Sequence, residues 1–425
     1  MAMNWLRQLA AKAPVPVYPL LAGNLRTDIQ TMGLDPRIEW VASPRHARVL
    51  LVAGELSPAT DRAFGKVHDQ LPGPAASIWW QGQPLDSLAD GATILDKADD
   101  LGRVAHQLQV DLLSGKHRGE PALCPDEPPE PWQGLGDIGH GGEGMMGGKP
   151  YGRSMAMPTD DLRDGLQLDP MAFSLGPFCS FLPPGLEANV TLHGDVVASF
   201  EVCSTPYPSL LPGVFEKALE GPVSITELEL ARARHYLHQL GHALWINQSG
   251  TVAHAVFAKA RSLKPGESLN KLKKQLIYTG FYRSAGADKG VLGDSQALMT
   301  GGVAARACGR GSDARVDDDG YRSLGFKPLV MDRGDAAARW WLWLEEAQRS
   351  LQLAHDAGPG HVKTSNTRSV ELLRGASRDG QLPEDGTAML EDLLPGLEWS
   401  EAMAVLASLD LSAVQRAGAG AEGTL

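Results

Sequence analysis

Cysteine is scarce and scattered in this sequence. Cys124, Cys179, Cys203 and Cys308 are spread over 425 residues, with no two closer than twenty positions. Without a CxxC pair, the four closely spaced thiolates that normally hold an iron–sulfur cluster are missing. Isolated thiols in a chain this long also give no disulfide framework. Positive charge is in deficit: the formal net charge is −12 and no basic stripe breaks the acidic background. Nucleic acid is excluded as the main partner on that ground, because phosphate binding needs clustered Lys and Arg. Long apolar runs are missing too. Stretches such as ARVLLVAG, Ala47 to Gly54, fall far short of the roughly 20 residues that cross a bilayer. The segment MAMNWLRQLAAKAPVPVYPLL is weakly amphipathic and lacks the apolar core of a secretory signal. The chain therefore reads as cytoplasmic, with membrane association only through a partner.

What is present describes a folded chain. Hydrophobic residues make up 43% and charged residues 21%, enough for a sizeable core and two or three domains. ARVLLVAG predicts a buried parallel strand. A helix follows, capped by Ser57 with Pro58 in its first turn, and PGPAASIWWQG supplies a second strand. Strand, helix and strand in this span make a βαβ unit. A further helix is expected through ADDLGRVAHQLQVDLL. The acidic, proline-rich stretch EPALCPDEPPEPW from Glu120 to Trp132 breaks regular structure. It is followed by a glycine-rich loop holding His140, Glu143, Met145 and Met146, which either lines a cavity or is a plain connector. EANVTLHGDVVASFEV predicts a β-hairpin turning at Gly194 and Asp195. ITELELARARHYLHQLGHALWI, DAAARWWLWLEEAQRSLQLA and SEAMAVLASLDLSAVQR carry helical periodicity. The expected organisation is an α/β domain with a parallel sheet over residues 1–119, a linker and loop over 120–168, and a mainly helical α+β domain over 169–425.

Several groups of side chains are candidates for chemistry. His235, His238 and His242 fall on one helix face, and the last two have the HxxxH spacing of a zinc helix. Residue 239 is Gln, however, where a zinc protease needs Glu. The three imidazoles are thus a candidate zinc site or simply interfacial residues beside Arg232 and Arg234. Cys179, Cys203 and His193 flank the hairpin as a second zinc candidate; lone cysteines otherwise behave as small buried hydrophobes. Asp313, Arg315 and the run Asp317 to Asp319 are a candidate charged relay, or a solvated loop. Trp340, Trp341 and Trp343 cannot all face a core at their spacing, so at least one is expected at an interface.

Two long stretches carry a resemblance. TDIQTMGLDPRIEWVASPRHARVLLVAGELSPATDRAFGKVHDQLPGP resembles the complex I subunit with the terminal iron–sulfur cluster, and the small subunit of membrane-bound nickel–iron hydrogenases. GPFCSFLPPGLEANVTLHGDVVASFEV, GGVAARACGRGSDARVDDDGYRSLGF and LEWSEAMAVLASLDLS are similar to the quinone-site large subunit of complex I and to the hydrogenase large subunit. The resemblance implies a fusion of both modules. It places cysteines where this chain has Asn24 and Thr27, and a quinone-contacting His where it has Pro183 and Pro184. A quinone-contacting Tyr corresponds to Tyr236. The early and late cysteine pairs that bind nickel are missing. The implied role is a redox-inactive peripheral subunit, without iron–sulfur or nickel–iron cofactors. It would dock on membrane-embedded, antiporter-like subunits at the inner face of the membrane and couple to ion movement. The alternative is an enzyme that keeps a quinone-like cavity at Tyr236 or works through zinc.

Overall fold

The run VLLVA at Val49–Ala53 is buried at every position and is the middle strand, β3, of a five-stranded parallel sheet. The structure, a computed structural model, describes residues 10–125, 132–137, 139, 141–143, 148, 168–281, 286–377 and 381–416. The strand order is β2-β1-β3-β4-β5, with β1 at Val15–Leu21, β2 at Ile38–Trp40, β4 at Ala76–Trp80 and β5 at Thr93–Leu95. Successive strand residues point to opposite faces. One face packs Val17, Leu51 and Ile78 under helices α1 (Arg26–Met32) and α3 (Leu101–Ser114). The other packs Leu20, Val52 and Trp79 with Phe64 of α2 (Asp61–His68), and it also takes in Phe178 from far along the chain. The expected βαβ unit is therefore β3-α2-β4.

Strand β1 is the element that the sequence concealed, because Pro16 and Pro19 interrupt it. Proline removes a ladder donor and is normally kept out of inner strands. The pairing accommodates both. Val15 donates to Arg37 and Val17 accepts from Val41, so the odd-numbered residues face β2. The even-numbered side faces β3, where the Pro16 carbonyl accepts from Arg48 just before the β1–β3 register begins at Val17 and Val49. Pro19 thus turns its missing donor toward the side where β2 has already ended.

The second part of the chain opens with an antiparallel sheet, β6-β7-β8, at Pro170–Leu175, Glu187–His193 and Val196–Ser204. The hairpin turns at Gly194 and Asp195, as its alternation predicts. Helix α4 (Ile225–Ile246) follows. It is buried along most of its length and packs against α5 (Gly250–Arg261) and α6 (Ala336–Asp356). At the crossing with α5, a Cβ on Gly241 would sit 2.3 Å from the Phe257 ring, so only glycine permits this approach. Asp335 caps α6, its Oδ1 accepting from the Ala338 amide at 2.7 Å. Trp340 and Trp343 face the core, while Trp341 is half-buried with Lys273 Nζ 4.9 Å from its ring centroid.

The last expected helix is shorter than its periodicity suggests. Helix α7 covers Trp399–Leu406 only, and the chain beyond it turns into a loop and a short strand, β10 (Val414–Gln415), parallel to β9 (Ser209–Leu210). The physical reason is Ser408. Its hydroxyl donates to the Val405 carbonyl at 2.6 Å and accepts from the Arg339 guanidinium, a side-chain alternative to continuing the helix. The tail AGAGAEGTL, residues 417–425, lies outside the described residues.

Candidate functional site

A parallel sheet ordered 2-1-3-4-5 reverses direction of winding between β1 and β3, and ligands in such sheets bind beyond the carboxyl ends of the strands at that point. Here that place is a cleft of about 380 Å³. One wall is the β1–α1 segment: Asn24, Arg26, Thr27, Asp28 and Gln30. The other is built by the second part of the chain, from Pro183 and Pro184, β9, one face of α4, Arg374 and the loop Leu409 to Ser412. Gly54 at the end of β3 makes the first wall possible. Its φ is +101°, and a Cβ there would lie 2.9 Å from the Ala22 carbonyl carbon.

Both walls are tied by hydrogen bonds. Asn24 Nδ2 donates to the Ser209 hydroxyl at 2.7 Å, and to the Tyr207 carbonyl and the Ser412 hydroxyl at 3.2 Å each. Arg26 Nη2 donates to the Leu182 carbonyl at 2.6 Å. Gln30 Oε1 accepts from His238 Nδ1 at 2.7 Å. Deeper in the seam, the Tyr18 hydroxyl donates to the Phe178 carbonyl at 2.8 Å.

The charges in the cleft are distinctive for so acidic a chain. Asp410 is paired with His235 Nε2 at 3.0 Å. Although burial pushes its pKa up, His235, Arg374 and Arg26 together hold it below the usual carboxylate range. Arg26 is pulled down to about 10 by burial, and burial also pushes the Asp28 carboxyl up. Arg374 is 4% exposed; its Nη1 donates to the Ser412 carbonyl at 2.6 Å, while Nε and Nη2 have no partner. His238 is lowered to about 4, first by burial and then by His235 and Arg234.

The sequence candidates are distributed as follows. Asn24 and Thr27 line the cleft with His235 and His238, and Pro183 and Pro184 face them. The three histidines do not converge on one point. His235 is on Asp410, His238 on Gln30, and His242 is stacked on Trp245 in a smaller apolar chamber. Cys179 is half-buried, its thiol pushed up to about 12 by burial, and Cys203 is exposed at the end of β8. Among the described residues, no three His, Cys, Asp or Glu side chains are gathered closely enough to hold a metal ion. The positions where the resemblance places cluster cysteines do not fit a cluster either. They carry a neutral amide and a hydroxyl, and the amide nitrogen is committed to three oxygen acceptors. Tyr236 does not line the cleft. It is buried in the core, its hydroxyl without a partner and its pKa raised by burial. Of the glycine-rich loop, Glu143 is described, and His140, Met145 and Met146 lie outside the described residues.

Asp313 and Arg315 belong to a second, fully buried assembly. Arg315 Nη2 donates to Asp313 Oδ2 at 2.7 Å and to Glu346 Oε2 at 3.0 Å. Arg306 pairs with Asp313, Glu346 and Glu371, and Arg232 with Glu229. Glu229 also accepts from the Tyr321 and Ser350 hydroxyls at 2.5 Å each. Burial opposes every charge here, yet the Arg315 and Arg306 guanidiniums hold Asp313 well below the ordinary carboxylate range. Burial and the neighbouring Asp313 push Glu371 up. Of the acidic run, Asp318 is buried and accepts backbone amides, whereas Asp317 and Asp319 are exposed.

Residues 266–370 match a known family. It is described as respiratory-chain NADH dehydrogenase, 49 Kd subunit. No curated protein matches the chain. The matched segment holds Arg306, Asp313, Arg315, Tyr321, Glu346 and Ser350, six members of the buried assembly, and all of α6. That stretch is thus similar to a complex I large subunit. Among the described residues, no helix is long and apolar enough to cross a membrane. Arg374, Asp410, Arg26 and Ser412 are cleft residues that the sequence reading passed over. Arg374 gave a signal in ELLRGAS, a charged residue set behind two leucines.

Proposed function

We propose that the protein is a redox-inactive, peripheral subunit of a complex I- or hydrogenase-like respiratory assembly, fusing a small-subunit-like sheet to a large-subunit-like helical region. In this reading it docks on membrane-embedded, antiporter-like subunits at the inner face of the membrane and couples them mechanically. The single observation that carries the redox-inactive part is Asn24. It stands where the resemblance places a cluster cysteine, and its amide ties the sheet to Tyr207, Ser209 and Ser412. A neutral amide is a poor ligand for iron. Hydrogen bonds here do the joining that the related modules are expected to combine with electron transfer. The match over residues 266–370 supports membership of a multisubunit assembly.

The test is elemental analysis of anaerobically purified protein, paired with dye- and quinone-reduction assays under hydrogen or NADH. Substoichiometric iron, nickel and zinc with no acceptor reduction is expected. Stoichiometric iron or nickel, or turnover, overturns the redox-inactive reading, and one zinc atom per chain favours the zinc alternative instead. Docking is tested separately, by co-expression with antiporter-like membrane subunits. The chain should move to the membrane fraction and be released by chaotropes; retention in the soluble fraction refutes docking.

A further inference from the structure

We propose that the cleft is a binding site for a small amphipathic anion, its carboxylate or phosphate head held by Arg374 and Arg26 and its short apolar tail in the adjoining chamber of Trp40, Trp245 and Phe257. The site is independent of whether the chain sits in a respiratory assembly.

Charge comes first. Three guanidiniums, Arg26, Arg234 and Arg374, line the cleft against two carboxylates, Asp28 and Asp410. Asp410 faces His235, Arg374 and Arg26 together and so offsets one of the three guanidiniums, while burial favours the neutral form of Asp28. The cleft therefore keeps a positive surplus inside a chain of net charge −12. Geometry makes that surplus specific. On Arg374 the bonded nitrogen is Nη1, and the two without partners are Nε and Nη2. These two donors lie on one edge of the planar guanidinium, the edge that meets a carboxylate or phosphate through two parallel hydrogen bonds. Leaving such donors buried and unpaired carries the full desolvation penalty of a charged group. Behind Asp410, Arg374 also touches a chamber of about 20 Å³. That volume admits one water, which can bridge donors but neutralises no charge. An anion does both.

The tail follows from a second cavity. A chamber of about 70 Å³ shares Arg26 and Gln30 with the cleft and is otherwise lined mainly by Pro19, Leu21, Ile29, Trp40, Trp245 and Phe257. The Trp40 indole nitrogen is buried there without a partner. Arg26 stands at the boundary of the two cavities, so a molecule anchored on its guanidinium has an apolar wall within reach. A few precisely placed polar groups beside an apolar pocket are the usual anatomy of a small-molecule site.

The experiment titrates the full chain by calorimetry and thermal melting with straight-chain carboxylates from acetate to octanoate, their amides, and inorganic phosphate. Phosphate and acetate should bind weakly. Affinity should rise about fourfold per added methylene until the chamber is filled, and the uncharged amides should fail. Arg374→Lys keeps the charge but loses the fork, and should weaken every anion at least tenfold. Trp245→Leu should flatten the chain-length dependence. Equal binding of amides and carboxylates, or no binding of any anion at millimolar concentration, overturns the proposal. Phosphate and acetate binding without length dependence overturns the tail. Because the amide comparison needs no variant, a poorly folded substitution leaves the test intact.

Discussion

At the scale of single residues, the cleft is governed by which charges are desolvated. His238 couples pH to stability. Its Nδ1 donates to Gln30, its ring stacks on Phe257, and burial lowers its pKa from 6.5 to about 4. Above pH 6.5 the folded and unfolded chains both carry the neutral ring, and His238 adds no pH dependence. Below it the unfolded chain takes a proton that the folded imidazole refuses, so stability falls until about pH 4, where the folded ring is protonated as well. The loss integrates to on the order of 3 kcal/mol. Denaturant melts at pH 7 and pH 5 should show a drop that shrinks in His238→Gln. An equal drop in both proteins refutes the assignment. None of this was legible in the sequence. The spacing of His235, His238 and His242 marked a helical face, but the hydrogen-bond partners of His235 and His238 lie more than a hundred residues away. Asp313 and Arg315 were visible as a pair. Their burial was not, because the carboxylates and guanidiniums that neutralise them come from four separate segments.

At the scale of elements, strong periodicity was sufficient and local chemistry decided the rest. Helices α3, α4 and α6, the βαβ unit and the β7–β8 hairpin follow from spacing alone, since their apolar pattern is carried by residues near in sequence. Strand β1 escaped because its prolines suit a position only the sheet order explains. Helix α7 ended early because Ser408 closes the Val405 carbonyl. The α4–α5 crossing gives a direct test of packing. Alanine improves helix propensity over glycine by about 1 kcal/mol, yet a Cβ at Gly241 lands on Phe257, and overpacking costs about 1–3 kcal/mol. Gly241→Ala is thus expected to lower the melting temperature. A rise would show that Phe257 moves aside freely and that the crossing is loosely packed.

At the scale of the whole molecule, the seam between the sheet and the helical region is polar at the cleft and apolar beneath it. Asn24, Arg26, Gln30 and Tyr18 donate or accept across it, while Phe178 seals one face of the sheet. Each buried hydrogen bond contributes about 1 kcal/mol, with a further penalty when a buried partner is left unmet. Wild-type protein is expected to melt in one transition. The double variant Asn24→Ala with Tyr18→Phe should lower the melting temperature and separate the two regions into distinct calorimetric transitions. A single unchanged transition would mean that the seam is held elsewhere.

The cleft has one more consequence, in time rather than space. The parallel sheet is complete by Leu95 and its last covering helix by Ser114, so this region can fold on the ribosome as it emerges. The opposite wall includes Asp410, Ser412 and Val414. Three hundred intervening residues must be translated first, which at roughly 5–20 residues per second takes on the order of 15–60 s. Throughout that interval Asn24 and Arg26 face solvent or a chaperone in place of Ser412 and Asp410. Occupancy of the cleft therefore reports that synthesis has passed Val414 and that both walls have met, and a nascent chain stopped short of that point lacks the site.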